Sequence, residues 1–147
     1  MYRVCPACTE ELLQIRALLE RSGLPTSDLE SARPEFAVIR ENGRVIAAGA
    51  LQRFGSSALL RSVVVVPDHR ARGLGQAVVS ELEQMAKAAE IGRLVLLTQT
   101  AAEFFARCGY RVIERRAAPA EMQGSEEFRS LCPSSATCMA KSLPHTP

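Results

Sequence analysis

The chain reads as an α/β fold built on one mixed sheet. Three observations predict it: strand-like and helix-like patterns alternate along the sequence, an Asn-Gly hairpin joins two apolar runs, and a Val-rich strand feeds directly into a glycine-opened amphipathic helix. At 147 residues one domain spanning 1–147 is expected. The 47% hydrophobic and 23% charged composition is that of a folded globule and excludes a disordered chain. A net charge of +2 gives no case for nucleic acid as a partner. No apolar run exceeds four residues, against the ~18 needed to span a bilayer, so no membrane association is expected. Met1–Glu10 lacks the apolar centre of a signal peptide, which predicts a cytoplasmic location. There the five cysteines, an odd number, read as buried reduced thiols.

Tyr2–Cys5 is a short strand. Thr9 is placed to cap the next helix, with Glu10 and Glu11 in its first turn, Leu12, Ile15, Leu18 and Leu19 on its apolar stripe, and Gly23 at its end. Leu24–Pro34 is a polar loop with a helical turn near Asp28–Ser31. Glu35–Arg40 and Arg44–Arg53 are strands joined through Glu41-Asn42-Gly43, since Asn and Gly tolerate positive φ. Gly49 marks a bulge in the second of these. Ala58–Val66 is the next strand, and its unbroken Val63–Val66 run predicts burial on both faces.

A helix begins at Gly73, with Val78, Val79, Leu82, Met85, Ala86 and Ala89 on one stripe, and Gly92 stops it. Arg93–Leu97 is a buried strand. Thr100-Ala101-Ala102-Glu103 has capping-box spacing before a helix through Phe104, Phe105 and Cys108. Tyr110–Ile113 is a strand, Pro119–Arg129 is helical, and Ala136–Lys141 is a last strand.

Chemistry concentrates in Val63–Gln76, where the Val-rich strand runs into a basic loop and a helix start. Unbonded N–H groups there, with the helix dipole behind them, make an anion site. Gly73 and Gly75 let a phosphate approach the main chain, and Arg70 and Arg72 add fixed charge. A Walker loop would need Lys and Ser or Thr after the second glycine, where Gln76 and Ala77 stand. A dinucleotide fingerprint would need glycine where Val78 stands.

What remains, Arg70-x-x-Gly73-x-Gly75 after an apolar strand and Pro67, resembles motif A of the GCN5-related N-acetyltransferases (GNAT). The resemblance runs from Tyr2 to Tyr110 at least. It implies a GNAT fold, with a mostly antiparallel sheet, two central strands splayed apart and flanking helices. It also implies acetyl-CoA as co-substrate, without a metal. Val63, Val64 and Val65 would pair with the pantetheine arm, and one of their N–H groups would polarise the acetyl carbonyl. Ala71, Arg72, Gly73, Leu74, Gly75 and Gln76, beside Arg70, would cradle the diphosphate. Phe105 lies where many relatives carry a Tyr that protonates the departing sulfur. No acid or base is assigned: Cys108, Thr98 or a water are stand-ins for the acid, and Glu103 reads as a cap.

Closer similarity is to the N-acetyltransferases of arsenic-resistance operons (the ArsN type). It is carried by Ser22–Pro25, Leu60-Arg61-Ser62, Leu97-Thr98, Phe104–Tyr110 and Glu127–Pro133. N-acetylglutamate synthases share a strand Arg and a Cys-Pro tail. Both resemblances imply a small amino-acid-like amine as partner, which for the ArsN type would be an arsenical or phosphinate analogue of glutamate, and a homodimer is common among relatives. Arg61, two residues before Val63, is placed to clamp an acceptor carboxylate with Ser62 or Thr98 nearby, and Phe36 to wall the acceptor pocket. The alternatives are a surface salt bridge for Arg61 and core packing for Phe36. A non-catalytic acetyl-CoA sensor is the other class of function consistent with Phe105. Cys132 and Cys138 invite an arsenic-binding reading, but buried thiols are preferred. His69 reads as a solvated loop residue beside the cofactor, and His145 as part of a mobile tail.

Overall fold

A computed structural model describes residues 2–131 and 135–144 of the chain. The strands are β1 (Val4–Pro6), β2 (Glu35–Glu41), β3 (Arg44–Phe54), β4 (Ser57–Val65), β5 (Arg93–Thr98), β6 (Arg111–Val112) and β7 (Thr137–Ser142). They form one seven-stranded sheet in the order β1-β2-β3-β4-β5-β7-β6. Only β4 and β5 run parallel; the other pairs are antiparallel. The expected mixed, mostly antiparallel sheet is therefore present. The helices are α1 (Leu12–Arg21), α2 (Leu29–Ala32), α3 (Leu74–Ala88), α4 (Ala102–Arg107) and α5 (Ala120–Gln123).

Alternation along β5 divides the core. Leu94 and Leu96 join the large cluster under α1 and α3, whereas Val95 points into a smaller one with Leu59, Met122, Phe128 and Cys138. The Asn-Gly hairpin forms as expected, with Asn42 at φ 53 and Gly43 at φ 77.

Several local expectations shift. The first helical segment starts one residue early: Cys8 caps a 3-10 turn, Thr9–Glu11, and Glu11 reaches back to the Cys8 N–H at 2.8 Å. Helix α3 ends before Gly92, through Glu90 at φ 61. The continuous helix expected over Pro119–Arg129 breaks after Gln123. Ser125 turns its hydroxyl onto the Met122 carbonyl at 2.6 Å, competing with helical bonding, and a separate π-helical turn covers Glu127–Leu131.

The bulge at Gly49 is real, but the extra residue lies on the other strand. Ala48 pairs with Val64 and Ala50 with Arg61, so Gly49 alone faces Ser62 and Val63. Ser62 takes φ 60 to make the kink. Gly49 is needed for a different reason. A Cβ there would stand 2.7 Å from Val78 Cγ1 and 2.9 Å from Leu82 Cδ1, so its absence lets α3 lie close against β3.

Candidate active site

Strands β4 and β5 pair only at Ser57–Leu59 with Arg93–Val95. Beyond that they part, where the Ser62 bulge bends β4. The backbone edge of β4 from Leu60 onward then has no strand partner on its β5 side. A cleft of about 1100 Å³ opens in the gap. The Val63–Val66 expectation is corrected here: Val64 and Val66 are buried, but Val63 and Val65 are half-exposed because this stretch of sheet is left open.

One end of the cleft is the loop between β4 and α3. Ala71 (φ 67) and Gly73 (φ 77) both take left-handed conformations, which turns successive N–H groups inward. Among the described residues, no hydrogen bond uses the backbone N–H of Ala71, Arg72, Gly73, Leu74, Gly75 or Gln76; the first helical bond runs from Ala77 N to Gly73 O at 3.1 Å. A Cβ on Gly73 would meet nothing within 4 Å, so open space lies before it. Gly75 differs: a Cβ there would lie 3.2 Å from Phe104 Cζ, so its role is to seat α3 against α4. Arg70 lines the cleft and donates from Nε to the Val65 carbonyl at 3.2 Å. The Arg72 side chain instead turns away to the Tyr2 hydroxyl at 3.4 Å, so only its main chain belongs to the cradle. This donor set, with its cationic neighbour, fits a diphosphate.

Phe105 lines the middle of the cleft and packs edge-to-face on Phe104 (centroids 5.0 Å) and Tyr110 (5.9 Å). The Tyr110 hydroxyl points away, donating to Glu83 at 2.9 Å, and burial holds it protonated well above the usual phenol range. Cys108, one helical turn after Phe105, reaches the cleft wall, and burial, assisted by Glu83, pushes its thiol up. Thr98 lines the cleft too, but its hydroxyl accepts the Ala101 N–H at 3.0 Å. Helix α4 thus has Ala101 at its N-cap, without the side-chain cap expected from Thr100. Glu103 is exposed and outside the cleft, neither cap nor base.

At the other end stand Ser22–Pro25, Arg61, Ser62 and Glu127. Arg61 is neither at the surface nor presented to solvent: its side chain is 1% exposed. Its fork is held by Asp28, with Nη1 to Oδ2 at 2.5 Å and Nη2 to Oδ1 at 2.7 Å. Nη1 also donates to Gln52 Oε1 at 3.1 Å, while Nε lies 3.2 Å from Glu127 Oε2 and 3.4 Å from Ser62 Oγ. A buried guanidinium thus ties the α2 segment and the Glu127 turn to the bulge of β4. Asp28 and Glu127 escape sequence reading because nothing in spacing links residues 33 or 66 positions from or beyond Arg61 to it.

Phe36 is a correction. It packs in the core from β2 and faces a separate hollow formed with Pro6–Leu12 and Met85, away from the cleft. Cys138 is buried in the smaller core cluster and is not on the cleft, and Cys132 and His145 lie outside the described residues. No group of three or more His, Cys, Asp or Glu side chains among the described residues is placed to hold a metal ion. No helix among them is long and apolar enough to cross a membrane.

A parted pair of central strands, an N–H cradle at a helix start and a polar pocket across the gap make one continuous site. The model of the acetyltransferase (GNAT) domain matches residues 32–112, over half of the chain, and the chain belongs to that family. An amino-acid acetyltransferase of Mycobacterium tuberculosis is 37% identical over 81 residues, 54% of this chain and 46% of that protein. The match therefore spans under half of that relative. Among solved structures, N-acetylglutamate synthase from Neisseria gonorrhoeae, complexed with coenzyme A and N-acetyl-glutamate, superposes with TM-score 0.85 at 19% identity, covering 99% of this chain and 36% of that one. A Mycobacterium tuberculosis protein in complex with CoA gives 0.82 at 28% identity, covering 97% and 99%. Tetrahymena GCN5 gives 0.77 at 15%, covering 100% and 98%. The chain thus carries an acetyltransferase (GNAT) domain with the GNAT fold.

Proposed function

We propose that this enzyme acetylates the primary amine of a small amino-acid-like acceptor, and that it is of the ArsN type, with an arsenical or phosphinate analogue of glutamate as acceptor. The observation that carries the reading is one continuous cleft joining the N–H cradle of Ala71–Gln76 to the buried Arg61. Acetyl-CoA supplies an activated acetyl group. The loop amides with Arg70 hold the diphosphate, the unpaired edge of β4 over Val63–Val65 holds the pantetheine arm, and an N–H at the bulge polarises the carbonyl. Phe105 and Leu74 wall the channel. Arg61, with Ser62 and Thr98 beside it, orients the acceptor carboxylate. For that, the carboxylate takes over bonds now made by Asp28, and the Asp28 side chain moves out to solvent, since neither buried charge can stay unpaired. Holding amine and acyl group together supplies much of the acceleration.

Acetylation of glutamate itself is the second reading, supported by the amino-acid acetyltransferase relative and by the solved synthase with N-acetyl-glutamate. The same proposal makes residues 1–147 one acetyltransferase domain acting in the cytoplasm as a homodimer. Thiol release from acetyl-CoA, measured across glutamate, its phosphinate and arsenical analogues and simple alkylamines, tests it. Turnover of an analogue above glutamate supports the ArsN reading, and glutamate above the analogues supports the second. Alkylamines turned over in preference to every amino acid would overturn both.

A further inference from the structure

The cradle must be held still to grip a diphosphate, and a cluster around His69, which also lines the cleft, does the holding. His69 ends the 3-10 turn Pro67–His69 and, contrary to the expected solvated loop residue, is 7% exposed. Its Nε2 lies 2.9 Å from Glu41 Oε1 at the end of β2, and its Nδ1 lies 3.3 Å from Asp68 Oδ1 on its own turn. Tyr2, before β1, sets its ring edge-to-face on the imidazole at 6.5 Å and donates its hydroxyl to Glu41 Oε2 at 2.9 Å. Arg72 reaches the Tyr2 hydroxyl, and Arg44 of β3 stands 3.7 Å from Asp68. Nε2 makes the hydrogen bond to Glu41, whereas Nδ1, though close to Asp68, makes none among the described residues. Glu41 registers the contact, since it is held below the usual carboxylate range chiefly by its hydrogen bond with His69.

We propose that His69 is a positioning residue for acetyl-CoA: by bridging the loop to Glu41 at the hairpin edge it holds the Ala71–Gln76 amides in their gripping arrangement. The inference rests on the diphosphate reading of that loop. Few other contacts tie the loop down: Arg70 to the Val65 carbonyl, and the turn's own bonds from His69 N to Val66 O at 3.0 Å and Arg70 N to Pro67 O at 3.4 Å.

The test is calorimetric titration with dephospho-coenzyme A, because that ligand keeps the diphosphate and lacks the additional phosphate that could bind elsewhere. His69→Gln and Glu41→Gln should each bind about tenfold more weakly than wild type, the size of one hydrogen bond to a charged group. The double variant should be no weaker than either single one, because both remove one link. In turnover, the KM for acetyl-CoA should rise about tenfold with kcat within about twofold. Glu41 is partly exposed, so its variant reads out even if His69→Gln melts early. Unchanged affinity in both variants would overturn the proposal. So would additive losses, which would mean that His69 acts on the ligand independently of Glu41. Wild-type protein that does not bind dephospho-coenzyme A would instead overturn the diphosphate reading beneath it.

Discussion

Asp28→Asn isolates what the buried Arg61 cluster contributes. The two side chains are 1% and 2% exposed, and the fork is bidentate at 2.5 and 2.7 Å, so neither charge can recover solvation if its partner is removed. Breaking such a pair from one side costs about 3–5 kcal/mol, far more than an exposed pair contributes. Glu127 stays 3.2 Å from Nε and Gln52 stays 3.1 Å from Nη1, which places the expected loss near the lower end, about 3 kcal/mol. For a chain of this size each kcal/mol moves the melting temperature by about 3–4 °C, so calorimetry at neutral pH should show a fall of about 10 °C. Asp28→Ala should fall similarly and then recover in part as acetate is added, because a small carboxylate fits where the side chain was and stabilises by mass action. The same vacancy should accept the acceptor carboxylate, so cognate acceptor should raise the melting temperature of Asp28→Ala more than that of wild type. A fall of under about 3 °C in Asp28→Asn would refute the reasoning, since it would correspond to the energy of a solvated pair.

Three further outcomes follow from the geometry. Gly49→Ala forces a methyl to within 2.7 Å of Val78 and 2.9 Å of Leu82, and should cost about 1–3 kcal/mol in chemical denaturation by pushing α3 off the sheet. Gly73→Ala meets no atom but must hold φ 77; it should cost about 1–2 kcal/mol of stability and raise the KM for acetyl-CoA more than it lowers kcat, read by steady-state kinetics. Glu11 is held below the usual carboxylate range chiefly by its hydrogen bond with Arg40, so its contribution is present above a pH of about 4.3 and disappears as acid protonates it. Glu11→Gln should therefore lower stability at neutral pH and flatten the loss on acidification, in denaturant melts from about pH 7 to 3.

The element pattern was legible because it is local. Alternation, the Asn42-Gly43 turn and the stripe on α3 each depend on residues within a few positions, and the loop Arg70–Gln76 carries its unbonded N–H groups in its own backbone. Errors arose where a local signal had two local answers. Thr98 holds the Ala101 N–H and α4 starts without the Thr100 cap, and Ser125 broke a helix whose apolar pattern continued.

Residue order along the chain thus settled the main helices, the hairpin and the unbonded amides at the start of α3, since short-range sterics dictate them, while the parting of the central strands was expected from the family resemblance. Pairing between distant segments was decided only by the folded chain. Asp28 and Glu127 met Arg61, Glu41 met His69, and Phe36 went to the core rather than the cleft. Burial is what gives those contacts their strength, and burial is a property of the packed sheet, not of any stretch of sequence.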